Sequence, residues 1–379
     1  MKKEQEINNL ENIITNQEKV IANYEASIRL IRILKRVPIF GNFVRFLSNA
    51  VKSNNKSGTK VINKVSSKKP EIIGIVSPYF RGVRSATMEM ANDLIEVSEI
   101  YTKRKASEVA KIVASYDPQK ILVSGYAKGH DLLIREIKKE MPSVRIFVLI
   151  HSAFMWFDAY PAENVIFENF IRMSEEGVIE KVGFCKRDLA EFFHDKGINT
   201  YFVMNRFYPE KHTLRKLNKE RIQIGVWGKN DWHRNILNQT IAATMIKNSE
   251  IHVNEVGNHF FLENEKINVY GILPKEDFLK LFSQMDINLY ISLTECFPMT
   301  VIESMQYGIP CLVSDTSDVY KFSPYLKEKL TVSTIDGPLG IAEKIKEVVA
   351  YYNDIQEEIA RYLPVLKEET EKSIKEFLK

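Results

Sequence analysis

From Glu71 onward, short apolar runs alternate with longer amphipathic stretches, and this alternation restricts the chain to one class of fold. The runs are IIGIVS (72–77), KILVSG (120–125), RIFVLIHS (145–152), KVGFC (181–185) and TYFVMN (200–205). Each is apolar nearly throughout rather than at every second residue. That is how a strand reads when both faces of a parallel sheet are covered. Between them lie helical stretches such as KRDLAEFFHDKG, and PYFRGVRSATMEMANDLIEV (78–97) reads as a loop running into a helix. The pattern restarts at RIQIGVWG (221–228) and continues through IHVNEV (251–256), INVYG (267–271), INLYIS (287–292), PCLVSD (310–315) and LTVST (330–334). Helices are predicted at ILNQTIAATMIKN, KEDFLKLFSQM, near 300–307 and at LGIAEKIKEVVAYYND. Two α/β halves follow, 71–210 and 211–355, then a final helical stretch, 356–379, and the cleft between the halves is the expected ligand site.

Residues 1–70 differ in kind. Ile7, Ile14, Ile21 and Ile28 recur every seven residues, with Leu10, Gln17, Tyr24 and Ile31 at the matching second seam position. The spacing predicts a short coiled coil over 7–31, and with it a homo-oligomer. One amphipathic helix packed on its own domain is the alternative. Residues 27–52 interleave apolar groups such as Ile39, Phe40 and Phe43 with Arg29, Arg32, Lys35, Arg36 and Arg45. That composition suits an anionic membrane interface, or a hairpin packed on the body. Residues 53–70 read as a lysine-rich linker.

The charge is distributed unevenly. Residues 26–70 hold eleven Lys or Arg and no Asp or Glu, whereas the whole chain has a net charge of only +4, so the remainder is net acidic. An anionic partner is therefore expected for residues 26–70 alone. No nucleic-acid reading module accompanies them, so nucleic acid is not the expected partner. No apolar run reaches 18 residues, the first residues do not read as a secretory signal, and the three cysteines (Cys185, Cys296, Cys311) sit far apart in apolar strings. A cytoplasmic location with reduced thiols is expected, at the inner face of a membrane if 26–70 binds one.

The segment ISLTECFPMTVIESMQYGIPCLVSD (291–315) carries the most chemistry. A strand ends near Ser292 and a helix starts near Pro298–Thr300, since proline favours a first turn. The amides of Met299, Thr300 and Val301 then point out of the helix start and form an anion site. Glu295 before that start can accept hydrogen bonds from sugar hydroxyls, and Glu303 within the helix can hold vicinal hydroxyls such as those of ribose.

This segment resembles the E-x7-E motif of family 4-type retaining glycosyltransferases (group 1). Glu295, Phe297, Glu303, Met305, Gly308 and Pro310 stand at matching positions, while Cys296 and Pro298 replace two glycines. A second similarity lies in GVWGKNDWHRNILNQ (225–239), where Gly228, Lys229 and Arg234 fall in the frame of the family's diphosphate-binding loop, with the two cations in reversed order. A third is His151, at the end of its strand, where the family places a donor-sugar contact. The loop Tyr79–Arg84 resembles the family's glycine-rich loop with Gly82 as its one glycine, and Asn205 precedes the inter-domain link.

The resemblance implies a GT-B fold, two Rossmann-like domains facing a cleft, over about residues 71–355. It implies a retaining glycosyltransferase that uses a nucleoside-diphosphate sugar, with no metal ion or other cofactor, and a glycan or lipid-linked acceptor. Glu295, His151, Lys229 and Arg234 would act at the reacting centre, and Glu303 would hold the ribose. The basic N-terminal segment adds an expectation of surface-polysaccharide or glycoconjugate synthesis at a membrane. A nucleotide-sugar epimerase of the same fold and a non-catalytic scaffold subunit remain open alternatives.

Overall fold

The computed structural model describes residues 59–207, 214, 216–333 and 335–379. The expected coiled coil, the amphipathic segment 27–52 and the boundary at 210/211 lie outside the described residues.

Residues Thr59–Lys379 form one compact unit. Its first part runs β1 (Val61–Lys64), β2 (Ile72–Val76), α1 (Arg81–Met88), β3 (Asp93–Val97), α2 (Lys103–Ala114), β4 (Lys120–Ser124), α3 (His130–Glu140), β5 (Arg145–Ile150), α4 (Phe154–Ala159), α5 (Pro161–Glu175), β6 (Lys181–Phe184), α6 (Arg187–Asp195) and β7 (Thr200–Phe202). The second part runs β8 (Ile222–Val226), α7 (Ile236–Thr244), β9 (Ser249–Val253), β10 (Ile267–Val269), α8 (Lys275–Phe282), β11 (Ile287–Tyr290), α9 (Met299–Gln306), β12 (Cys311–Ser314), α10 (Pro324–Leu330), β13 (Thr331–Val332), α11 (Pro338–Ala350) and α12 (Tyr352–Leu378).

Among the described residues, the strands form two sheets, ordered β1-β3-β2-β4-β5-β6-β7 and β10-β9-β8-β11-β12-β13. All pairings are parallel except that of β1 with β3. In each sheet the order reverses once, between β2 and β4 in the first and between β8 and β11 in the second. Chain connections leave such a point in opposite directions, so a crevice opens at the carboxyl ends of the two strands.

Two sequence expectations are corrected. DLIEV, read as the tail of a helix, is strand β3, with all five residues buried. A short apolar run fits a buried helix or a buried strand equally well, and pairing with β2 settles it here. Residues 61–64, read as linker, form the antiparallel edge strand β1 against β3. Lys64 pairs with the buried Glu96, and the Asp93 carboxylate accepts from the Ser66 and Ser67 amides at 2.7 and 3.1 Å. A lysine at such an edge also discourages pairing with a second chain.

The last helix straps both sheets. Gln356 Nε2 donates to the Gly308 carbonyl at 2.9 Å, and Tyr362 donates to the Val319 carbonyl at 2.7 Å. At its far end Phe377 meets Phe147 edge-on, with centroids 5.6 Å apart. A Cβ on Gly183 would lie 3.0 Å from the Phe377 ring, so β6 needs glycine there to admit it. Burying a phenylalanine this completely contributes about 2 kcal/mol. One apolar cluster therefore runs from Phe147 and Leu149 of the first sheet through Phe377 to Leu289 and Val313 of the second.

Candidate active site

The loop after β8 begins at Gly228, whose φ of +134° lies in a region that favours glycine. Its amide donates to Asn254 Oδ1 at 3.3 Å. A single 3₁₀ turn, Trp232–Arg234, follows, and Asn235 takes a left-handed conformation with φ of +54°. The Asn235 side chain donates to the Ile335 carbonyl at 2.6 Å and fixes that bend. The chain thereby turns Arg234 back over the crevice between β8 and β11. Arg234 Nη1 donates to Glu295 Oε2 at 2.5 Å and also to the Tyr290 hydroxyl, and its guanidinium lies 5.0 Å from the Tyr290 ring centroid. Burial alone would lower the guanidinium pKa, but Tyr290 and Glu295 more than offset this and raise it. The Leu293 amide donates to the His233 carbonyl at 2.8 Å and ties the two loops together.

The first sheet faces this pair with His151, at the carboxyl end of β5. Its Nε2 lies 2.8 Å from Ser124 Oγ, and its Nδ1 3.4 Å from Cys185 Sγ. Cys185 donates to Asn205 Oδ1 at 3.6 Å, and Asn205 Nδ2 donates to the Phe297 carbonyl at 2.7 Å. Burial pushes the His151 pKa down to about 4, so the ring is neutral near pH 7. One assignment of protons satisfies the whole series: Ser124 donates to Nε2, and Nδ1–H donates to Cys185. In addition Cys296 Sγ donates to the His151 carbonyl at 3.0 Å. The cysteine that stands where a glycine was expected thus joins the Glu295 loop to the first sheet.

His151, Arg234, Glu295 and Cys296 border one hollow of about 740 Å³. Glu303 does not. It borders a second hollow, of about 840 Å³, with Arg206, Lys275, Met299 and Gln306. Burial pushes the Glu303 pKa up, and Lys275 opposes the shift. In the chain, the start of α9 separates the two hollows. Pro298 precedes that start, and the amides of Val301 and Ile302 turn back to its carbonyl at 3.2 and 3.4 Å. Val301, expected as an open donor, is closed in this way, which leaves the Met299 and Thr300 amides as candidates. Phe297 is 2% exposed and meets the site only through its carbonyl.

Two expected residues stand apart. Lys229 is exposed and borders neither hollow. Gly82 lies in the first turn of α1 with open space where a Cβ would be, whereas its neighbours Phe80 and Val83 border the first hollow. The glycine that matters on this side is Gly125, after β4. It has a φ of +62°, and a Cβ there would lie 2.6 Å from Val83 Cγ1. Tyr126, Trp156, Glu163 and His233 also border the first hollow, and sequence reading missed all four. Only Tyr126 carried a signal: it follows a buried strand beside the point where the first sheet reverses.

Residues 260–323 match the family described as "Glycosyl transferases group 1". No curated protein matches the sequence. Among solved structures, an alpha,alpha-trehalose-phosphate synthase (UDP-forming) from Burkholderia xenovorans, in complex with glucose-6-phosphate, is similar at TM-score 0.54 and 8% identity, over 81% of this chain and 98% of that one. An E. coli structure described as trehalose-6-phosphate bound with UDP-2-fluoro glucose gives TM-score 0.56 and 10% identity, over 81% and 98%. The N-terminal domain of Candida albicans trehalose-6-phosphate phosphatase gives 0.53 and 11%, over 81% and 96%. At such identities the structures establish the fold alone, and the segment that matches the family model contains Glu295 and Glu303. The chain has the GT-B fold, and its residues 260–323 are similar to group 1 glycosyl transferases.

Proposed function

We propose that this chain is a glycosyltransferase that moves a sugar from a nucleoside diphosphate to a hydroxyl acceptor with retention at the anomeric carbon. The observation that carries the reading is the Arg234–Glu295 pair, held at the crevice between β8 and β11 and facing His151 across one hollow. Arg234 presents five N–H donors, so it can keep Glu295 and still hold a phosphate. In the proposed complex the sugar lies in the first hollow against Glu295 and His151. The diphosphate crosses the start of α9, where the Met299 and Thr300 amides are open, and the ribose reaches Glu303 in the second hollow. Lys229 would join only if its loop folded inward.

In the transfer step, the acceptor oxygen bonds to the anomeric carbon on the face from which the diphosphate leaves. The carbon–oxygen bond to the diphosphate breaks and its electron pair departs with the leaving group. The acceptor proton passes to a leaving phosphate oxygen. Arg234 and the helix-start amides would stabilise the charge that grows there, the kind of preorganised contact that contributes most to catalysis. The lysine-rich residues before β2 support an acceptor presented at an anionic surface, as in surface-polysaccharide or glycoconjugate synthesis.

The test is proton NMR of the products formed from a panel of nucleotide sugars and glycoside acceptors, with Glu303→Gln alongside. Retained anomeric configuration and a roughly tenfold higher donor KM in the variant are expected. An inverted product, or an unchanged KM, overturns the reading. Epimerised donor formed without any acceptor would favour the epimerase.

A further inference from the structure

The first hollow has a wall that the donor reading leaves unused. It is built by Tyr126 after β4 and by Trp156 and Glu163 from α4 and α5. The Tyr126 hydroxyl is buried and has no hydrogen-bond partner, although the residue is only 6% exposed. Leaving a buried hydroxyl unpaired costs about 1–3 kcal/mol. Tyr126 is held rigidly, because Phe170 meets its ring edge-on with centroids 4.9 Å apart. On the facing side, His233 Nδ1 is also buried without a partner, and the residue is 5% exposed. Two orphaned polar atoms thus border one hollow. Glu163 borders the same hollow, and its Oε2 accepts from the Trp156 indole N–H.

Charge narrows the choice of ligand. Arg234 is the cation that borders this hollow; Glu295 and Tyr290 engage its Nη1, and in the proposed complex its remaining N–H donors go to the donor diphosphate. Burial lowers the pKa of both His151 and His233, and Arg234 lowers that of His233 further, so both rings stay neutral near pH 7. The wall therefore offers a carboxylate, a phenol, a neutral imidazole and the rings of Trp156, Tyr126 and Phe80, but no free cation. A phosphate or carboxylate placed beside Glu163 would meet a like charge without compensation. A neutral sugar ring satisfies every feature: its hydroxyls donate to Glu163 and pair with Tyr126, and its C–H face lies on an aromatic ring.

We propose that Tyr126, Glu163 and Trp156 form the acceptor subsite, and that this subsite selects an uncharged, hydroxyl-bearing sugar unit over a sugar phosphate. The proposal rests on the transferase reading for the word acceptor, but sugar binding at this wall can be measured without transfer.

The experiment is saturation-transfer NMR on the full chain with methyl glycosides of glucose, galactose, mannose and N-acetylglucosamine, and with their 6-phosphates. Tyr126→Phe and Glu163→Gln are compared with the unmodified chain. Calorimetry with UDP and GDP is run in parallel on all three proteins. At least one neutral glycoside should bind, each variant should weaken it about tenfold, and the 6-phosphates should bind more weakly than the neutral forms. Tyr126→Phe removes only an unpaired hydroxyl, so its melting temperature should hold or rise while sugar binding falls. A purely structural tyrosine would not show that combination. The proposal is overturned if no neutral glycoside binds, if both variants bind as the unmodified chain does, or if the 6-phosphates bind as well or better. Glycoside binding without any nucleoside diphosphate binding would leave this subsite standing and remove the transferase reading instead.

Discussion

Arg234 Nη1 and Glu295 Oε2 lie 2.5 Å apart, which joins the loop after β8 to the loop after β11 across the reversal point of the second sheet. A quarter of the Arg234 side chain and 14% of that of Glu295 are exposed, so the pair is enclosed but not sealed. Removing one partner leaves the other charge mostly out of water. Arg234→Ala should therefore cost about 2 kcal/mol of stability, less than a sealed pair would, and lower donor turnover by about a hundredfold. Lys229→Ala, on the exposed stretch of the same loop, should cost a few-fold at most. Nucleoside diphosphate release and urea denaturation measure both effects. Equal losses in the two variants would return Lys229 to the centre of the site.

The sequence alone disclosed this pair's components but not their pairing. Glu295 and Arg234 were legible because each follows a long apolar run, at the carboxyl end where parallel strands present ligand residues. Strands β3 and β1 were not legible as strands, since a run as short as Asp93–Val97, with three apolar residues, suits either periodicity, and an edge strand within a lysine-rich stretch looks like a linker. Tyr126, Glu163 and His233 come from three separate elements. Each is an ordinary residue in its own segment, and only the facing of the two sheets assembles them around one hollow. Lys229 shows the converse. Spacing placed it five residues from Arg234, but the 3₁₀ turn and the left-handed Asn235 direct only Arg234 inward.

Asn205 sits behind the Glu295 loop. It takes a hydrogen bond from Cys185 and donates one to the Phe297 carbonyl, two residues beyond Glu295. Asn205→Ala removes the donor and leaves that carbonyl buried without a partner, a cost of about 1–3 kcal/mol. The loop should loosen and donor KM should rise about tenfold, while the affinity of the Glu303 hollow for free nucleoside changes little. Steady-state kinetics and calorimetry with the nucleoside separate the two. Equal weakening of both would show that Asn205 supports the whole second half.

Acid should weaken the fold before the ordinary carboxylates titrate. Burial pushes both His151 and His130 down to about 4 from an ordinary value near 6.5. Above pH 6.5 both states are neutral and these groups add no pH dependence. Between about 6.5 and 4 the unfolded chain binds protons that the folded chain refuses, so stability falls as pH drops, by roughly 1.4 kcal/mol per unit per histidine. Glu163 and Glu303, raised by burial, act in the opposite sense and blunt the slope. Melting temperatures from pH 7.5 to 4.5 should decline, and His151→Asn should flatten the decline. An identical slope in that variant would show that His151 is not held neutral.

The truncation that tests membrane binding has to begin inside the basic segment, not after it. Lys60 and Lys64 flank or belong to β1, and the Thr59 hydroxyl donates to the Glu99 carbonyl at 2.9 Å. Removing residues 1–70 would strip an edge strand from the first sheet, so lost binding could not be told from lost folding. Removing residues 1–58 keeps β1 and its pairing with β3, and it takes away seven of the eleven basic residues of 26–70. At about 1 kcal/mol per cation near an anionic surface, the shortened chain should leave vesicles of mixed phosphatidylcholine and phosphatidylserine, while the full chain stays bound at low salt. Transfer to a water-soluble acceptor should be unaffected, because both hollows lie within the retained residues. Co-sedimentation at 50 and 300 mM salt reads the first effect. Persistent binding of the shortened chain would move the membrane contact onto the body itself, where the exposed Phe154, Met155 and Phe192 would become the surface to mutate next.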